Sequence, residues 1–89
     1  MKLVFDLDVL KPHAPSIDYV AGALMEIDGV KTVRVKLDEL DQKTASLHIN
    51  ITGHDISLED ITEKLGSLNC AVHSIDEVFL AKDDASIDS

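Results

Sequence analysis

The sequence predicts a single α+β domain in which four strands and two helices follow one another as strand, helix, strand, strand, helix, strand. Three observations carry this. Apolar residues alternate with polar ones along LVFDLDVL (3–10), VRVKL (33–37) and LHINI (47–51). Between these runs, apolar residues recur at helical spacing at Ile17, Val20, Ala21, Leu24 and Ile27, and again at Leu58, Ile61, Leu65 and Leu68. Turn and capping residues stand at each change of period.

The first strand, 3–10, puts Leu3, Phe5, Leu7 and Val9 on one face and Val4, Asp6, Asp8 and Leu10 on the other. Lys11-Pro12-His13 forms the turn that leaves it. Pro12 and Pro15 cannot donate to a ladder, so the strand is expected to stop there. Ser16 is a suitable N-cap and Asp18 suits the positive end of the helix dipole. Gly29 fits a left-handed stop, which sets the first helix at 16–28.

From Val30 the period becomes two. Val33, Val35 and Leu37 share one face; Thr32, Arg34, Lys36 and Asp38 share the other. The polar run 41–44 reads as a hairpin turn. In the third strand, Leu47, Ile49 and Ile51 alternate with Ser46, His48, Asn50 and Thr52, and Gly53-His54-Asp55 ends it. Ser57 caps the second helix with Asp60 three residues on, a shortened capping box. Asp60 and Lys64 are spaced for an ion pair, and Asn69 can close the helix in the left-handed region. The last strand, 70–80, alternates imperfectly: Val72, Ile75 and Val78 change parity, and a bulge near Ser74 reconciles them. The domain is expected over 1–81, with an acidic, flexible tail over 82–89.

This order is the split βαβ, or ferredoxin-like, arrangement. Right-handed crossovers place both helices on one face of a four-stranded antiparallel sheet, with the first and third strands central. The other face carries Val4, Asp6, Asp8, Arg34, Lys36, His48, Asn50 and Thr52. No third helix exists to cover it, so water or another subunit must.

Size and charge narrow the function. At 89 residues the chain buries roughly 60–65% of its unfolded surface and has one core. Aromatic residues are only 3%, so the core is aliphatic, with little room for a deep closed pocket. The net charge is −9, with 8 basic against 17 acidic residues. That balance argues against binding to nucleic acid or to an anionic membrane surface. The lone Cys70 has no disulfide partner and reads as a small buried residue; with no signal-peptide pattern, a cytoplasmic location is expected.

Several strings resemble a known family. LDVLKPH (7–13) and VHSIDEV (72–78), with LDELDQKT (37–44) and ITGHDISLEDIT (51–62) between them, are similar to an archaeal family catalogued as domain of unknown function two-eleven. The resemblance spans nearly the whole chain. It implies a ferredoxin-like fold and ring-like homo-oligomers, and no established activity. Asp6 stands where that family more often carries an aliphatic residue.

Three chemistries are open to these residues. A calcium or magnesium site wants several oxygen ligands. The last strand is expected beside the first, so Asp8 can approach Asp76 or Glu77, with His13 and His73 near opposite ends of the pair. Asp8, His13, His73, Asp76 and Glu77 are thus the candidate metal ligands. The competing reading leaves Asp8 solvated or paired with Lys11. Soft-metal binding by His13, His48, His54 and His73 has no recognisable spacing. No phosphate loop, nucleophile elbow or triad spacing marks an enzyme, and no catalytic residue is assigned. The reading is a non-catalytic, homo-oligomeric binding or regulatory protein, with divalent cations as candidate ligands. The alternative is a small-molecule sensor with ligand clefts between subunits, which rests on fold analogy.

Overall fold

In the computed structural model, residues 1–83 are described. The elements run β1 (Lys2–Pro12), α1 (Ile17–Met25), β2 (Val30–Leu40), β3 (Thr44–His54), α2 (Leu58–Ser67) and β4 (Ala71–Ala81). The sheet order is β2-β3-β1-β4, with every neighbouring pair antiparallel. The fold is the ferredoxin-like α+β arrangement, with β1 and β3 central.

The core is one aliphatic layer between sheet and helices. Leu7, Val9, Leu47, Ile49 and Ile51 from the central strands meet Val20 and Leu24 of α1 and Ile61 and Leu65 of α2, all at 0% exposure. Each such side chain contributes about 1.5–3 kcal/mol by leaving water. The strands outrun the helices. Eleven residues of strand span about 36 Å, whereas nine or ten of helix span about 15 Å. Apolar side chains near the strand ends are therefore left uncovered, and the molecule measures 46 × 21 × 18 Å.

Three local features differ from the sequence expectation. Pro12 does not end β1; it lies in the last register pair, opposite Thr44. Helix α1 ends at Met25, not at residue 28, and Gly29 makes its left-handed turn (φ +93°) after a short turn through Ile27. Ser16 holds the N-cap position but its side chain accepts no helix amide. Its hydroxyl instead serves Asp18, whose carboxyl it holds below the ordinary value.

Helix α2 keeps both expected ends. Ser57 Oγ accepts from the Asp60 amide at 2.9 Å. At the other end the Cys70 amide donates to the Leu65 carbonyl and the Asn69 amide to that of Gly66, with Asn69 at φ 63°. This is a Schellman closure. Lys64 does not pair with Asp60; it reaches Glu26 at 3.5 Å and links the end of α1 to α2.

The imperfect last strand resolves into two irregularities. Against β1, register shifts fall between Asp6 and Leu7 and between Asp8 and Val9, so His73 and Asp76 are the unpaired extra residues. They flank Ser74, where a bulge was expected. Of the tail 82–89, only Lys82 and Asp83 are described. Asp83 contacts the Met1 ammonium and lies 3.4 Å from His54 Nε2. Residues 84–89 lie outside the described residues. No helix among the described residues is long and apolar enough to cross a membrane.

Candidate functional site

The even-numbered residues of β1 and β3 all point away from the helices, because each strand buries its odd-numbered, aliphatic side. Register then places them in rows across the open face. One row runs Arg34, Asn50, Asp6, Glu77; the next runs Lys36, His48, Asp8, Ser74. Cations thus occupy the β2 side and carboxylates the β1–β4 side of one surface.

Asp6 organises the centre. Asn50 Nδ2 donates to Asp6 Oδ1 at 2.9 Å, and His48 Nε2 donates to the same oxygen at 3.1 Å. His48 lies directly opposite Asp8 but reaches diagonally to Asp6, a distance open to long side chains on one sheet face. The Asn50 bond is the main reason the Asp6 carboxyl sits below its ordinary value. Partial burial opposes it, and His48 and Glu77 add to it. Asp6 therefore stays ionised near neutrality and acts as an acceptor that orients its neighbours.

Beside it lies an open depression of about 500 Å³, lined by Asp6, Thr32, Arg34, Lys36, His48 and Asn50. Among the described residues, neither Arg34 nor Lys36 forms an ion pair. The depression thus sets two cations on its β2 side against the ionised Asp6 on its β1 side.

The five candidate metal ligands are not gathered. Asp8 faces Ser74 on β4, not Asp76 or Glu77, because the register shifts move the strand past it. Glu77 stands opposite Asp6. Asp76 Oδ1 accepts from Ser74 Oγ at 2.8 Å. His73 is the unpaired residue at the other shift. His13 donates from Nε2 to the Asp41 carbonyl of the β2–β3 hairpin at 3.2 Å. His13 and His73 lie at the same end of the β1–β4 pair, since antiparallel β4 begins where β1 ends. Among the described residues no three His, Cys, Asp or Glu side chains are grouped to hold one metal ion.

Lys11 is the residue whose role the sequence reading missed. It continues the odd-numbered, inward series of β1 and is only 4% exposed. It lies on the opposite face from Asp8, so the two do not pair. Its ammonium donates to the carbonyls of Pro12 (2.7 Å), His13 (3.1 Å) and Pro15 (2.7 Å). The parity of Leu3, Phe5, Leu7, Val9 and Lys11 was the signal for this placement. Cys70 is buried as expected, and burial pushes its thiol up.

Comparison with known proteins follows the same lines. The family model for DUF211, described as uncharacterized ArCR, matches residues 2–84. The uncharacterized protein MJ0319 of Methanocaldococcus jannaschii is 36% identical over 76 residues, covering 85% of this chain and 78% of its own. On both grounds the chain belongs to the DUF211 (ArCR) family.

Proposed function

We propose that this is a non-catalytic, self-associating binding protein whose copies meet along the two edge strands of the sheet. The observation that carries the reading is the exposed apolar surface on both edges. On β4, Ile75, Val78, Phe79 and Leu80 are 43–54% exposed; on β2, Leu37 and Leu40 are 48% and 68% exposed. Unpaired edge strands with apolar side chains are templates for strand addition, and long ones such as these risk uncontrolled association. Ordered self-association removes that risk.

Direction favours β2 of one copy against β4 of the next. The sheet order makes the two edges run antiparallel when a second copy continues the sheet with its helices on the same side. Such a contact uses different surfaces on its two sides and closes into a ring when the rotation permits. Divalent cations enter this reading only between copies, where Asp8, Asp76 and Glu77 of one chain can be supplemented by a neighbour.

The test is a pair of lysines on one edge. Val78→Lys with Leu80→Lys changes two exposed side chains and is expected to keep the monomer fold by circular dichroism. The reading requires this variant to lose mass in sedimentation relative to the native chain. A native chain that associates and a variant that associates equally well would show that β4 is not the contact.

A further inference from the structure

We infer that the depression between Arg34, Lys36, His48 and Asn50 on the open face of the sheet binds a small anion carrying a phosphate group. Thr32, Arg34 and Lys36 of its lining belong to edge strand β2 but project onto the face, so the inference does not rest on self-association.

Four observations converge on it. First, Arg34 and Lys36 are alternate residues of β2, so they project to the same face about 7 Å apart along the strand, within reach of one compact ligand. Second, neither forms an ion pair among the described residues, although the chain holds 17 carboxylate side chains for 8 basic ones. Most basic side chains here are likewise unpaired, so what distinguishes these two is that they share one face and line one depression. Third, Asn50 and Thr32 offer donors beside the cations, whereas His48 spends its Nε2–H on Asp6. Asp6 fixes the His48 ring through Nε2 and the Asn50 amide through one of its two N–H groups. The second Asn50 N–H and the Thr32 hydroxyl remain on the rim. Asp6 is a positioning residue here: its Oδ1 is engaged by two donors, and its negative charge on the same lining offsets part of that of Arg34 and Lys36. Fourth, the volume of about 500 Å³ falls within the range of small-molecule sites and exceeds what a bare inorganic ion fills.

The donor set selects the ligand class. A guanidinium presents a planar fork to two oxygens, and an ammonium adds a point charge. With a hydroxyl and an amide beside them, these groups match the three terminal oxygens and near-double charge of a phosphate monoester. A dicarboxylate such as succinate carries the same charge but splits it between two separated planar groups of two oxygens, so it cannot present three oxygens from one centre.

The experiment is calorimetric titration of the full chain, at constant ionic strength, with phenyl phosphate, inorganic phosphate and succinate. Phenyl phosphate is expected to bind saturably at one site per chain, more tightly than inorganic phosphate and at least fivefold more tightly than succinate. The exposed double variant Arg34→Gln/Lys36→Gln is expected to weaken phenyl phosphate at least tenfold. Lys2→Gln, which removes a cation from the same face outside the depression, is expected to leave it within twofold. Circular dichroism confirms that each variant is folded, and light scattering on the same samples reports the mass. Absence of saturable binding, equal weakening by Lys2→Gln, or succinate binding as tightly as phenyl phosphate would each overturn the assignment. So would a double variant that changes mass while retaining phosphate affinity, since the cations would then serve a subunit contact. Failure of the edge-strand reading leaves every one of these titration outcomes unaffected.

Discussion

Asn50 on β3 and Asp6 on β1 are directly opposite in register and joined by a 2.9 Å hydrogen bond from amide to carboxylate. This one bond ties the central strand pair together on the face the helices leave open, and it does most to hold Asp6 ionised.

It makes stability depend on acid. The Asp6 carboxyl lies below its ordinary value in the folded chain, so the unfolded state binds its proton first as pH drops. Its contribution is therefore fully present above about pH 5, and is lost as pH falls through the ordinary aspartate value of about 3.9 and on through the folded value. Asp6→Ala is expected to cost about 1–2 kcal/mol at pH 7, a modest figure because His48 is 42% exposed. Urea titrations of both proteins from pH 7 to pH 3 check this. The gap between them should hold from pH 7 to 5 and narrow below 4.

Lys11 supports a larger prediction. Its ammonium is the donor to three carbonyls in the loop that leads into α1. Lys11→Met keeps the buried stem and deletes the donor, leaving those carbonyls to find water or stay unpaired. A loss of about 3 kcal/mol is expected. In thermal unfolding the variant should melt well below wild type, whereas Lys31→Met, at an exposed position, should shift it little.

Two glycines make opposite predictions. A Cβ at Gly53 would stand 2.3 Å from the Gly29 carbonyl oxygen, where backbone of β2's entry passes against β3. Gly53→Ala must push these segments apart and is expected to destabilise by about 2 kcal/mol or more. A Cβ at Gly66, in the last turn of α2, meets nothing within 4 Å. Gly66→Ala is expected to stabilise by about 0.5–1 kcal/mol through helix propensity. Chemical denaturation of the two variants should move the midpoint in opposite directions.

The strengths and gaps of sequence reasoning here have physical causes. Alternation in β1 and β3 is strict because one side is fully buried, so a reader can assign Asp6, His48 and Asn50 to the open face. What joins them is register, and register depends on where the turn at 41–44 closes and how Gly53 and Gly29 pack; neither is a periodicity. For that reason the carboxylate of interest read as Asp8, whereas the structure centres the donors on Asp6. In β4 the parity changes at Val72, Ile75 and Val78 reveal that the ladder is irregular. They do not show that two residues, His73 and Asp76, are each set out of pairing, and this displaces Asp76 and Glu77 from Asp8. Lys11 was hidden because a charged residue before two prolines reads as the end of a strand.

The association of copies along the uncovered edges is the point on which the account turns, and absolute mass in solution tests it most directly. Multi-angle light scattering of the native chain at micromolar concentration should give a single, defined multiple of 9.7 kDa larger than a dimer. A mass of one chain, unchanged across concentration and with the β4 side chains open to solvent, would contradict it.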